Sequence, residues 1–97
     1  MPKGYVIALI RVIDARRYDH YRALATEAIW AHRGRVLVRG GRNEVMEGLA
    51  PERTVIVEFD DLDKARQFHC SVEYSRARAA REGAADVSMF VVQGVDS

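Results

Sequence analysis

The chain has little of several things, and each shortage excludes something. Its one cysteine, Cys70, cannot close an internal disulfide, so a disulfide-stapled scaffold is ruled out. No run of about 18 apolar residues occurs, and no charged stretch leads into a short apolar core, so neither a membrane helix nor a secretory leader is expected and the cytoplasm is the expected location. Charge of one sign is missing as well. The 15 Lys and Arg nearly cancel the 14 Asp and Glu, so no global field attracts nucleic acid or an anionic membrane, and neither is expected as a partner. Lysine is confined to Lys3 and Lys64 in an otherwise arginine-rich chain, a bias of the kind expected from a GC-rich bacterial genome. Repeats, linkers and low-complexity segments are absent. At 97 residues the chain is expected to form one domain over 1–97, with a real core but much exposed surface unless it associates.

What is present reads as alternating strands and helices. Gly4 to Val12 is apolar on both parities and reads as a strand. Asp14 is an N-cap for a helix to about Arg33, with Tyr18, Tyr21, Ala25, Ala28, Ile29 and His32 as one stripe and Gly34 as its stop. Trp30 points away from that stripe and reads either as a half-buried surface aromatic or as a contact with a second subunit. Arg35 to Arg39 alternates as a strand. Gly40 and Gly41 read as a bulge or bend before extended residues Asn43 to Glu47, and Gly48 to Glu52 makes the turn of a hairpin into Arg53 to Phe59. Asp60 and Asp61 begin a second helix near Leu62, which Ser71 can restart or re-cap, and Gly83 stops it. Tyr74, Arg78 and Arg81 share a face. The last strand lies within Ala85 to Val95, and Gly94 to Ser97 is a short tail.

This order predicts an α+β, ferredoxin-like βαββαβ fold: a four-stranded antiparallel sheet with two helices on one face. Sorting by parity puts Val6, Ala8, Ile10, Val12, Val36, Val38, Val55, Val57, Phe59, Phe90 and Val92 under the helices. The other face receives Tyr5, Ile7, Leu9, Arg11, Arg35, Leu37, Arg39, Thr54, Ile56, Glu58, Met89, Val91 and Gln93. That second face is too apolar for solvent, so a homodimer through the open sheet face is expected. Its charges, Arg11, Arg39 and Glu58, must then be paired, with Arg11 or Arg39 as the expected partner of Glu58. Glu58 reads as a structural ion-pair partner or as a general base of raised pKa.

No motif is diagnostic of one reaction. His20, His32 and His69 are scattered and Cys70 sits about 100° around the helix from His69, so neither a metal site nor a Cys–His nucleophile is expected, and no cofactor is called for. Gly40 and Gly41 precede no helix and do not read as a phosphate cradle. The better cluster is a pocket between the helices and the sheet edge, lined by Tyr18, Tyr21, His69, Tyr74 and Arg78, with Arg39 as a further binding candidate. Phenols and an imidazole can exchange protons, and arginine can hold a carboxylate or an enolate oxygen. Each of these residues also has an ordinary role in packing or in a surface ion pair.

The opening GYVIALIRVID, Tyr18 with Tyr21, the glycines of GRVLVRGG, Glu47 with Gly48, Glu58 with Phe59, then Ala65, Phe68, Ser71, Glu73, Tyr74, Arg78 and the closing VVQGV resemble the domain-of-unknown-function 1330 family over nearly the whole chain. That family's usual S-P-E-Y reads here Ser71, Val72, Glu73, Tyr74, and His69 stands where an aromatic such as tyrosine is more usual. The resemblance implies the dimeric α/β-barrel superfamily, whose folds are similar to those of oxygenases working without metal or flavin, muconolactone isomerases, dye- or haem-degrading enzymes and stress-responsive proteins; the fold alone names no reaction. The expectation is a homodimer that binds a small organic acid or aromatic. It acts by proton transfer or cofactor-independent oxygenation, with His69, or Glu58, as acid/base, or else serves as a non-catalytic binding or stress-response module.

Overall fold

The computed structural model describes residues 2–96; Met1 and Ser97, the ends of the expected domain and tail, lie outside them. The elements are β1 (Gly4–Val12), α1 (Ala15–Ala31), β2 (Arg35–Arg39), β3 (Arg53–Phe59), α2 (Leu62–His69), α3 (Val72–Ala80) and β4 (Ala85–Gln93). The strands form one antiparallel sheet in the order β2-β3-β1-β4. This is the expected α+β arrangement with one change, three helices in place of two. Cys70 and Ser71 interrupt the second helix. The Ser71 hydroxyl donates to the Phe68 carbonyl at 2.7 Å and accepts from the Tyr74 amide at 3.1 Å, closing α2 and capping α3 with one side chain.

Local chemistry sets the other boundaries. Asp14 caps α1, accepting from the Arg17 amide at 3.2 Å, and Asp61 caps α2, accepting from the Lys64 amide at 2.8 Å. At the end of α1 it is Arg33, not Gly34, that takes the left-handed conformation, at φ 59°. Gly34 is required for space instead: a Cβ there would stand 2.8 Å from Ile29 and 2.9 Å from the Phe59 ring. Residues 40–52 contain no strand, so the extended segment expected at Asn43 to Glu47 is loop. Its base is held by Asn43, which donates to the Pro51 carbonyl at 3.2 Å, and by Glu52, which accepts from the Val12 amide at 3.0 Å.

Two registers differ from the parity expected of the sequence. In β4 the alternation Ala85, Val87, Met89, Val91 is wholly apolar while Asp86, Ser88, Phe90, Val92 is half polar, and pairing with β1 selects the apolar one for the core. Val6 faces Val91, Ala8 faces Met89 and Ile10 faces Val87, which puts Ala85, Val87, Met89 and Val91 under the helices. Phe90 and Val92, expected there, pair with Ile7 and Tyr5 on the open face, while Met89, Val91 and Gln93 leave it. In β2 the bulge falls at Leu37 rather than at Gly40 and Gly41. The extra residue reverses parity beyond it, so Val38 moves to the open face beside Ile56, and Arg39 moves to the helix face beside Val55. Between the helices and the sheet lies the core, with Val6, Ala8, Ile10, Val57, Phe59, Ala65, Phe68, Tyr74 and Ala77 buried.

Candidate functional site

On the helix face, α1 and β2–β3 enclose a cavity of about 620 Å³. Its floor is sheet: Val6, Ala8, Ile10, Val36, Val55 and Val57. One wall is α1, whose Tyr18, Tyr21, Ala25 and Ile29 turn inward while Asp19, Arg22, Thr26, Glu27 and Trp30 form the rim. Phe68 and Tyr74 close the inner end, and Arg39 and Arg53 stand on the strands opposite α1.

The three expected tyrosines do come together. Tyr21 and Tyr74 share a 2.9 Å hydrogen bond between their hydroxyls, fully buried, with the rings edge to face at 6.3 Å. Tyr18 lies 5.6 Å from Tyr21, ring to ring. Burial, with the neighbouring Tyr74 phenol adding to it, pushes the Tyr21 hydroxyl well above the ordinary phenol range. Burial also raises Tyr18, against a smaller opposing pull from Arg53. These phenols hold their protons at neutral pH and serve as hydrogen-bond donors. Arg39 joins them, carried to this face by the bulge.

The remaining expected residues lie elsewhere. His69 is half-buried on the far side of Tyr74, its ring 5.5 Å from the Tyr74 ring, and lines a smaller cavity of about 190 Å³ with Arg66, Cys70 and residues of β1 and β4. Desolvation, then the charges of Arg78 and Arg81, hold its pKa below the ordinary imidazole value. Arg78 is exposed and outside the lining of the large cavity. Glu58 is on the opposite face of the sheet, and its partners are neither Arg11 nor Arg39. It accepts from Arg35 Nε at 2.8 Å and from the Tyr5 hydroxyl at 3.0 Å, because both are its cross-strand neighbours. Those two bonds lower its pKa, the reverse of what a general base needs. Arg11 pairs with Asp86 across β1 and β4.

Among the cavity residues not anticipated are Arg22, Trp30 and Arg53, with Asp19, Thr26 and Glu27 on the rim. Arg53 was readable, since strand parity sets it on the same face as Val55, Val57 and Phe59, a cation on an otherwise apolar side. Trp30 proves to be a rim residue, 68% exposed. The Arg81 guanidinium lies over the Tyr21 ring, 5.6 Å from its centre, and backs the phenol pair. Among the described residues no three His, Cys, Asp or Glu side chains converge as metal ligands, and no helix is long and apolar enough to cross a membrane.

Comparison with known proteins identifies the framework. Among solved structures, the chain is similar to a protein of unknown function from Rhodopseudomonas palustris, at 15% identity and a TM-score of 0.76, covering 99% of this chain and 85% of that one. It is similar to the cofactor-independent oxygenase SnoaB from Streptomyces nogalater, at 9% identity and a TM-score of 0.69, covering 100% and 97%. A dimeric ferredoxin-like protein of unknown function from Thermobifida fusca matches at 13% identity and a TM-score of 0.60, covering 94% and 92%. At such identities these likenesses establish the fold and leave the reaction open. No curated protein matches the sequence. Residues 3–95 match the profile of the family described as a domain of unknown function, DUF1330. The chain is therefore a member of the DUF1330 family, built on a ferredoxin-like fold.

Proposed function

We propose that the chain is a homodimeric small-molecule-binding protein whose ligand, a small aromatic or enolisable organic acid, occupies the cavity between α1 and the sheet. The observation that carries this reading is the composition of that cavity. About 620 Å³ of space has a floor of aliphatic side chains, a buried, mutually hydrogen-bonded pair of phenols at its inner end and arginines at its edge. Ligand sites of this size combine an apolar lining with a few converging polar groups. Tyr18 and Tyr21 would face the ligand's body, Tyr74 would fix Tyr21 through their shared hydrogen bond, and Arg39 would lie against its polar edge. Dimerisation through the open sheet face follows from the apolar residues stranded there, and the Thermobifida fusca protein of the same fold is dimeric.

A catalytic version is favoured by the phenol pair. Proton donors held in an apolar cavity can stabilise an enolate oxygen as it forms, which suits proton transfer or an oxygenation of the kind SnoaB performs without a cofactor. Against it stands the absence of an imidazole from the cavity lining, where carboxylates occur only at the rim, as Asp19 and Glu27. Binding is accordingly the primary reading, and any base would have to be His69 acting through Tyr74 or the substrate itself.

A native mass spectrum of freshly purified protein, followed by titration with a panel of aromatic acids, tests both parts. Two chains carrying a small-molecule adduct, or cavity resonances shifted by the acids, is the expected result. A bare monomer at micromolar concentration overturns the dimer. A protein whose Tyr18, Tyr21 and Trp30 resonances respond to none of the acids overturns the binding site.

A further inference from the structure

We infer that Arg53 is the anion-binding residue of this cavity and that the ligand is a monocarboxylate with a flat apolar body, its carboxylate on the Arg53 guanidinium; the inference rests on the cavity being a ligand site. Arg53 opens β3 opposite Ile10, on the face that continues as Val55 and Val57. A cation on such a face is costly unless something pairs with it. Among the described residues no carboxylate does, and the Tyr18 hydroxyl is its polar neighbour. Among the described residues Arg53 has no ion-pair partner, although other arginines of the sheet and of α1 are paired: Arg35 with Glu58 and Asp60, Arg11 with Asp86, and Arg22 with Asp19 at 3.5 Å. Its Nε is buried without a hydrogen-bond partner.

The side chain is nonetheless held in place. Its guanidinium lies over the Tyr18 ring, 5.5 Å from the ring centre. Gly40 makes room on the other side, at φ +63°, where a Cβ would stand 2.4 Å from Nη2 and 2.8 Å from Cζ. A stacked, positioned arginine with unused donors presents the planar fork that a carboxylate fits. Arg53 also separates the cavity from a second, shallower hollow lined by Gly41, Arg42, Asn43 and Glu52. A carboxylate on Arg53 would sit between the two, with the ligand's body directed over the valine floor. Arg39 stands in the same cavity with no ion pair among the described residues, adding positive charge where the carboxylate would arrive.

The test compares 2-naphthoate with 2-naphthamide, of matched shape and different charge, on the full-length protein. The single tryptophan supplies the reporter, since the Trp30 indole N–H at the cavity rim gives one NMR signal. In the wild type the carboxylate is expected to shift that signal at a concentration at least about tenfold lower than the amide, a preference of about 1.4 kcal/mol. Arg53→Gln should abolish the preference while leaving the amide's binding in place, and Arg53→Lys should restore only part of it. Gly40→Ala is a second, independent variant: it leaves Arg53 in the sequence but drives the guanidinium off the Tyr18 ring, and should lose the preference in the same way. Equal binding of the two compounds, or a preference that survives both Arg53→Gln and Gly40→Ala, overturns the assignment while leaving the cavity reading intact. If neither compound moves Trp30 or any cavity resonance, the cavity reading itself falls, and this inference with it.

Discussion

Tyr21 and Tyr74 illustrate how a buried polar pair is tolerated in a small core. Each hydroxyl is the other's partner, so removing one strands the other away from water. Tyr21→Phe or Tyr74→Phe alone should therefore destabilise the fold by about 1–3 kcal/mol, while the double substitution should cost less than the sum. Urea denaturation of the four proteins in a double-mutant cycle measures the difference, and strict additivity would show that the hydroxyls act independently. His69 gives a prediction about pH. Its pKa in the fold is lower than the ordinary 6.5, chiefly through desolvation and then through Arg78 and Arg81, with Arg66 and Cys70 also around its cavity. The unfolded chain then binds more protons than the folded one below pH 6.5, so stability falls as the pH drops through that value toward the folded pKa. His69→Gln should flatten this part of the stability profile and leave stability above pH 7 little changed in its slope. An unaltered acid slope would place its cause in other groups.

At the scale of elements, what was legible followed from unambiguous local chemistry. Asp14 before an apolar stripe, the β-branched run to Phe59 and the position of Ser71 gave the strands, the long helix and the restart near residue 71. Illegible were the features set by partners in space. In DVSMFVVQ the bulk of Phe90 and Val92 points to the buried face, whereas Asp86 and Ser88 on the same parity mark it as the open one; the register with β1 decides. The bulge at Leu37 has no residue signature, yet it alone carries Arg39 from the open face to the cavity. The candidate site was legible as three tyrosines because helical spacing sets Tyr18 and Tyr21 on one stripe. The place of His69, against the Tyr74 ring and beside a smaller cavity, is set by how the end of α2 packs in space, which helical spacing alone does not show. The break between α2 and α3 makes a testable point about Val72. It is the first residue of α3, 65% exposed, and follows a Ser71 with an extended backbone at ψ 158°, a conformation that a following proline favours. Val72→Pro, which supplies the family's usual S-P-E-Y, should raise stability by about 0.4–1 kcal/mol through the unfolded chain's lost freedom. Thermal unfolding checks this, and a lowered melting temperature would mean that the first turn of α3 needs the amide proline lacks.

For the whole molecule, the decisive surface is the side of the sheet turned away from the helices. With the register of β4 corrected, this side carries Phe90, 47% exposed, and Val92, 42% exposed, beside half-buried Ile7, Leu9 and Ile56. Val38 replaces Arg39 on it, and Asp86 and Ser88 join it with Phe90 and Val92. The charges of this face are prepared for burial. Glu58 is bonded to Arg35 and Tyr5, and Arg11 to Asp86, within one chain, so covering the face with a second copy strands neither carboxylate nor guanidinium. Phe90→Asp introduces an unpaired carboxylate into the apolar part of this surface and should weaken self-association by about 2–4 kcal/mol, the scale of an interface hot spot, enough to yield monomers at micromolar concentration. Trp30 belongs to α1, on the helix side of the sheet, and Trp30→Ala should leave association unchanged while altering ligand titrations at the cavity rim. Sedimentation equilibrium separates the cases. If Phe90→Asp remains as associated as the wild type and Trp30→Ala dissociates, the subunit contact lies on α1, and the apolar sheet face needs another explanation.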